Sequence, residues 1–225
     1  MKKWISYGVL CGIIPAVVAA GAWLFEDKQY AWISLCVAVL SCLLFLLYFE
    51  KKETSIKKMI LIAVMTALSV IGRILFAPIP GFKPVTALVV ITAMYFGPEA
   101  GFMTGALSAV LSNFYFGQGP WTPFQMFSWG IIGFIAGLMA ESLKRSKMVL
   151  AGYGILSGIL FSQLMDIWTV LWADGTFNFS RYLAAMAAAI PFTAVYAISN
   201  VIFLLVFAKP IGKILNRIKI KYGLS

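Results

Sequence analysis

The chain has 225 residues, 62% of them hydrophobic and 12% charged, where a soluble domain carries about 25% charged residues. That composition excludes an ordinary soluble domain and points to an integral membrane protein. The net charge of +10 fits cationic loops flanking apolar spans better than nucleic-acid binding, and the absence of histidine excludes imidazole acid–base chemistry and the commonest metal ligand.

Residues 4–25 follow a basic start and contain Ala20-Gly21-Ala22, which resembles a cleavage site. The apolar run is too long for a signal-peptide core of about 7–15 residues, so it is read as a transmembrane helix. Glu26-Asp27-Lys28-Gln29 turns the chain into a second span, 31–49. Cys11, Cys36 and Cys42 lie in these two runs without metal-site spacing and are read as buried thiols. The polar stretch 50–58 marks a module boundary: 1–56 holds two additional helices and a basic linker, and 57–225 forms a six-span unit.

The third span, 59–76, carries Ala63 and Ala67 and, near its far end, Arg73. Pro78, Pro80 and Pro84 stop helix formation in loop 77–84. Span four, about 85–96, is short for a hydrocarbon core near 30 Å, and a re-entrant pair over 85–116 is the alternative. Gly97-Pro98-Glu99 suits a helix start, which makes Glu99 a first-turn residue. Span five, 101–116, runs into the loop GQGPWTP. Spans six, seven and eight cover 124–140, 148–172 and 181–207, and a basic tail, 209–221, follows.

Charge sets the orientation. With eight spans and both termini cytoplasmic, the inner segments hold Lys2, Lys3, Lys51, Lys52, Lys57, Lys58, Lys144, Arg145, Lys147 and the tail. Only Lys28, Arg73, Lys83 and Arg181 fall outside or at outer helix ends, a strong positive-inside bias. Loops 77–84, 117–123 and 173–180 then share the outer face. Irregular backbone at membrane depth persists only where it is buried or lines a cavity, so a binding pocket is expected there.

Small-xxx-small pairs recur: Gly8/Gly12, Ala63/Ala67, Gly101/Gly105, Gly133/Gly137, Gly154/Gly158 and Ala184/Ala188. They allow close backbone approach within the chain or against a partner's helix. Polar groups inside spans are few and informative. Gln163 and Asp166 share roughly one face of span seven, Trp172 closes its outer end, and Arg73 is the expected counter-ion of Asp166, the two serving either as a structural ion pair or in ligand contact. Trp168 reads as an interfacial aromatic, whereas Trp121, between Pro120 and Thr122-Pro123, reads as a rigid lid. There is no G-x-x-x-x-G-K-[ST] motif, so ATP is not bound through a P-loop; no acidic cluster suits magnesium, and no serine has a base.

The unit from about 57 resembles the substrate-binding S component of an energy-coupling factor (ECF) vitamin transporter. The resemblance rests on six spans, the Ala63/Ala67 pair on the first core helix, and the run from Phe82 to Phe127 (FKPVTALVVITAMYFGPEAGFMTGALSAVLSNFYFGQGPWTPFQMF). Within the family it is most similar to the cobalamin-type S components. The resemblance implies a multi-pass plasma-membrane subunit that captures a vitamin at its outer face, with loop 77–84 as gate. It implies docking through Ala63 and Ala67 on a transmembrane coupling protein with two ATPase subunits, which alone use ATP. It implies toppling in the bilayer to release the vitamin. The two extra helices depart from the pattern.

For a corrinoid such as cobalamin, Phe82, Tyr115, Trp121 and Trp172 would give apolar contacts, and Asn113, Gln118, Gln125 and Gln163 amide contacts. No covalently bound cofactor or metal is expected. Arg73 and Lys83 holding a carboxylate would instead favour a small acidic vitamin such as pantothenate. Two readings compete from other classes: an intramembrane enzyme using Asp166 and Glu99 as an acid pair, and a structural membrane protein without ligand.

Overall fold

The computed structural model describes residues 56–223 and, before them, Gly12 and Ala16 alone. The two spans expected before residue 56, with Cys11, Cys36 and Cys42, lie outside the described residues. The described residues form seven helices: α1 Ile56–Leu75, α2 Val85–Phe96, α3 Pro98–Phe116, α4 Thr122–Leu138, α5 Ala140–Arg145, α6 Lys147–Asp174 and α7 Phe179–Tyr222. Of these, α1, α6 and α7 are long and apolar enough to cross a membrane, and α2 and α4 are shorter apolar helices.

The centre of the bundle is α2. Eleven of its twelve residues are buried, because α1, α3, α4 and α7 all pack around it. A helix that is apolar all round needs such an enclosure. Twelve residues reach only about 18 Å, and the chain turns at once into α3 through Gly97, whose φ of 93° suits glycine. Both α2 and α3 are continuous helices, with Pro98 in the first turn of α3 and Glu99 beside it.

Glycine fixes the tightest contacts. A Cβ on Gly101 would sit 2.6 Å from the Gly133 carbonyl oxygen, and one on Gly105 2.5 Å from the Trp129 carbonyl. A Cβ on Gly137 would lie 2.4 Å from Pro98 Cα. The Gly101/Gly105 and Gly133/Gly137 pairs therefore seat α3 and α4 backbone to backbone, the arrangement that gains dispersion contact in lipid. Gly154 and Gly158 do the same for α6 against Val201 and Ala197 of α7. Some buried hydroxyls are satisfied within their own helices, Thr92, Thr104 and Ser128 donating to the carbonyls of Leu88, Ala100 and Phe124, whereas those of Thr66, Ser69 and Ser108 have no partner among the described residues.

The sequence expectation for the last span differs from what forms. Instead of ending near residue 207 before a tail, α7 continues through Pro210 to Tyr222. Proline removes one backbone donor, yet Ile211, Leu215 and Ile218 recur at helical spacing and pack on the core, which holds the helix together. The run AESLKR, at and just beyond the expected end of span six, forms the separate short helix α5, anchored by buried Leu143.

The bundle has two unlike ends. One carries the connections 76–84, 117–121 and 175–178; there Arg181 pairs with Asp174 at 2.6 Å and Asn178 caps α7 by accepting from the Arg181 amide. The other gathers the start of α1, the α2–α3 turn, α5 and the end of α7, and is rich in lysine.

Candidate functional site

At the loop end, Arg73 is held near the last turn of α1 by the end of α3. Its guanidinium donates to Asn113 Oδ1 at 2.9 Å and to Ser112 Oγ. The expected ion pair with Asp166 does not form. Asn113 is buried and spends its own amide on Thr122 Oγ1 and Gln125 Oε1, both at 2.9 Å. Thr122 donates in turn to Gln118 Oε1 at 3.1 Å, and Gln118 donates to the Val110 carbonyl at 2.8 Å. This chain of bonds closes loop 117–121 onto the tops of α3 and α4. Asn113 and Gln125, read from the sequence as ligand amides, are thus committed to a network that positions Arg73 and the loop.

The second cation comes from the loop before α2. The Lys83 backbone N–H donates to Ser199 Oγ at 2.9 Å, and the same hydroxyl donates back to the Lys83 carbonyl at 3.1 Å. One serine of α7 therefore satisfies both backbone groups of a residue outside any helix. The Lys83 ammonium faces three rings, at 5.0 Å from Tyr196, 5.5 Å from Trp129 and 5.7 Å from Phe161. Burial, and then the charge of Arg73, pull it down to about 7. Arg73 lies 5.1 Å from the same Trp129 ring and 4.4 Å from Phe116. Two cations share one indole, and Trp129 is itself stacked on Phe161 at 5.1 Å. Ring faces attract cations by their quadrupole, which offsets part of the mutual repulsion.

The third part is an aromatic wall on α6 and the loop. Trp121 meets Trp168 edge-on at 5.9 Å, and Trp168 stacks on Trp172 at 5.8 Å. Trp172 is 46% exposed. Beneath it, Asp166 Oδ2 and Trp168 Nε1 are buried with no hydrogen-bond partner among the described residues. Buried polar atoms are rarely left so, and of those without a partner among the described residues these two adjoin the tryptophan wall, where a ligand or water can complete the bonding. Gln163 accepts from the Tyr182 hydroxyl at 2.7 Å, joining the wall to α7.

The structure thus brings Arg73, Lys83, Asn113, Gln118, Trp121 and Gln125 together at one end, with Gln163, Asp166 and Trp172 on the neighbouring α6. Phe82 instead joins Phe76 and Phe203 in a cluster with centroids 5.0–5.7 Å apart. Tyr115 is 66% exposed, and its one ring contact among the described residues is with Phe116. Ser112, Thr122, Trp129, Phe161, Tyr196 and Ser199 were not singled out by sequence. Thr122 and Ser112 adjoin chosen residues, but nothing local marks Tyr196 or Ser199, which reach the site from more than 100 residues away in the chain. Glu99, in the first turn of α3, and Asp166, eight residues before the end of α6, stand in opposite halves of the bundle. No metal-holding cluster occurs among the described residues.

On the outer flank of α1, Ala63 and Ala67 are exposed amid the exposed side chains of Ile60, Val64, Leu68 and Ile71. The opposite face, Leu61, Ile62, Met65, Thr66 and Ser69, is buried in the bundle. A family model described as the S component of an ECF-type riboflavin transporter matches residues 53–217. No curated protein and no solved structure matches the chain.

Proposed function

The chain belongs to the family of ECF-type riboflavin transporter S components, and from that premise we propose that it captures a vitamin at the loop end of its bundle, facing the outside of the cell. As an S component it is a membrane transport subunit, not an enzyme, and it works with an ECF membrane protein and ATPase module. The observation that carries the site is that two of the buried polar atoms without a partner among the described residues, Asp166 Oδ2 and Trp168 Nε1, adjoin a tryptophan wall at the same end as Arg73 and Lys83. Trp121 and Trp172 supply flat apolar area, Gln118 and Gln163, bonded to Val110 and Tyr182, are further amides at that end, and Arg73, joined by Lys83 in its protonated form, sets a positive floor.

The finer reading of the substrate is a corrinoid such as cobalamin. It is supported by the aromatic surface of Trp121, Trp168 and Trp172; without histidine such binding would rest on shape and hydrogen bonding rather than on imidazole ligation of cobalt. A second reading, riboflavin, is favoured by the name of the matching family and by the near-parallel Trp168 and Trp172 rings, which suit a flat tricyclic ligand. The positive floor keeps an acidic vitamin such as pantothenate as a third.

Delivery follows from the outer face of α1. Ala63 and Ala67 give a partner helix close access, flanked by apolar side chains, which supports docking on the coupling protein there. Two ATPase subunits would complete the importer and consume ATP. The test is uptake by proteoliposomes holding the chain with the ECF module, using labelled cobalamin and labelled riboflavin. ATP-dependent uptake of one that excess of the other does not suppress assigns the substrate. Uptake of neither, nor of other labelled vitamins, with an assembled complex refutes the transport reading.

A further inference from the structure

The lysine-rich end holds a cavity of about 570 Å³ between the α5–α6 junction and α7. Five cations line it, Lys144, Arg145, Lys147, Lys209 and Lys213, and no carboxylate does. All five are exposed, and none is ion-paired among the described residues. Loop lysines at the cytoplasmic surface follow from topogenesis alone; a concave site that collects five of them without an acid does not.

The cavity is built as well as charged. Its floor is Tyr95, whose hydroxyl fills the groove left by Gly212: a Cβ there would lie 2.2 Å from the Tyr95 oxygen. Lys144 sits over the Tyr95 ring at 4.9 Å. The 28-residue helix α6 begins at the cavity with Lys147, its N-terminus capped by Ser146, and a helix start favours an anion.

The other wall is apolar, formed by Met94, Leu150, Leu205 and Ala208. Leu205 continues upward as an exposed stripe on α7, Ile198, Ile202 and Leu205 at 57%, 42% and 43% exposure. The spacing i, i+4, i+7 places them on one face, and Lys209, at i+11, ends that face in the cavity. An apolar track along a membrane helix that terminates in a cationic cup is the shape of a phospholipid.

We propose that this cavity binds the phosphate headgroup of an anionic phospholipid, with an acyl chain lying along Ile198, Ile202 and Leu205. Basic pockets between membrane helices recognise such headgroups by this chemistry. The site lies at the opposite end of the bundle from the vitamin site and does not depend on it.

The experiment uses the full chain in nonionic detergent, exchanged into a mixture of phosphatidylglycerol and phosphatidylcholine and read by native mass spectrometry. We expect one retained phosphatidylglycerol, preferred over phosphatidylcholine by at least about tenfold. The triple variant Lys144→Gln, Lys209→Gln, Lys213→Gln should fall to parity, while its melting temperature in phosphatidylcholine alone stays that of wild type. The charge control Arg217→Gln with Lys221→Gln, at the same end but outside the cavity, should keep the preference. Equal retention of both lipids overturns the proposal, as does loss of preference in the control. Displacement of the lipid by millimolar inorganic phosphate assigns the cavity to a soluble anion instead. A triple variant that keeps the lipid but no longer assembles with the ECF module assigns the cations to an acidic protein partner.

Discussion

Replacing Asn113 with leucine tests the network that holds the loop end together. The side chain is 1% exposed and makes three hydrogen bonds of 2.9 Å, one of them to a guanidinium. Leucine has similar volume and no polar atom, so Gln125 Oε1 loses its donor and Arg73 keeps only Ser112. Interhelical bonds in membrane proteins average about 0.6 kcal/mol and reach about 1.7, while bonds to charges elsewhere contribute about 1.5–3. The sum for the three is roughly 2–4 kcal/mol. At about 2–4 °C per kcal/mol for a chain of this size, Asn113→Leu should melt some 5–15 °C lower in detergent. Vitamin affinity should fall with it, because loop 117–121 loses its tie to α3. Asn113→Asp should retain most of both, since a carboxylate still accepts from Arg73 and Gln125 can turn its amide nitrogen toward it. A leucine variant as stable as wild type, with unchanged affinity, would refute the network as the support of the site.

Further outcomes follow from packing and charge. Gly133→Leu should strongly destabilise or prevent folding, because its Cβ already falls 2.5 Å from Gly101 backbone atoms; Gly152→Leu, with nothing within 4 Å, should melt within about 2 °C of wild type, and equal behaviour of the two contradicts the close seating of α3 on α4. Ala67→Trp should leave vitamin binding by the isolated chain intact and abolish uptake by the full complex, whereas loss of both shows a structural alanine. Lys83 has a folded pKa near 7 against an ordinary 10.5, so below about pH 7 it is charged in both states and its burial penalty is fully present. Between about pH 7 and pH 10 the unfolded chain binds the extra proton and stability rises with pH. Wild type should therefore gain more melting temperature than Lys83→Met between pH 6 and pH 9, and parallel profiles exclude a buried ammonium.

Much of the bundle was legible because its signals are local. Proline and glycine bounded α2, α3 and α4 to within a few residues, Pro98-Glu99 marked a helix start, and Gly101, Gly105, Gly133 and Gly137 were among the small residues expected at close contacts, though which helices they would join was not legible. The extension of α7 escaped because Pro210 and a run of lysines read as a stop, while the core packing of Ile211, Leu215 and Ile218 overrides both. At the site, residue types were legible and their partners were not. Asn113 and Gln125 looked like free amides because sequence shows hydrogen-bonding capacity but not how it is spent. Arg73 was matched with Asp166, the nearest opposite charge in kind, yet neutral Ser112 and Asn113 reach it first. The cage around Lys83 is assembled from α4, α6 and α7, and no local spacing encodes it.

This chain alone is expected to bind a vitamin at the loop end. Calorimetric titration of the purified chain in detergent with cobalamin, cobinamide, riboflavin and a panel of small vitamins tests it most directly. Saturable one-to-one binding of one ligand, weakened about tenfold or more by Trp121→Ala, is the predicted result. Folded protein that binds none of them, or binds one with an affinity indifferent to Trp121, Lys83 and Asp166 substitutions, contradicts it.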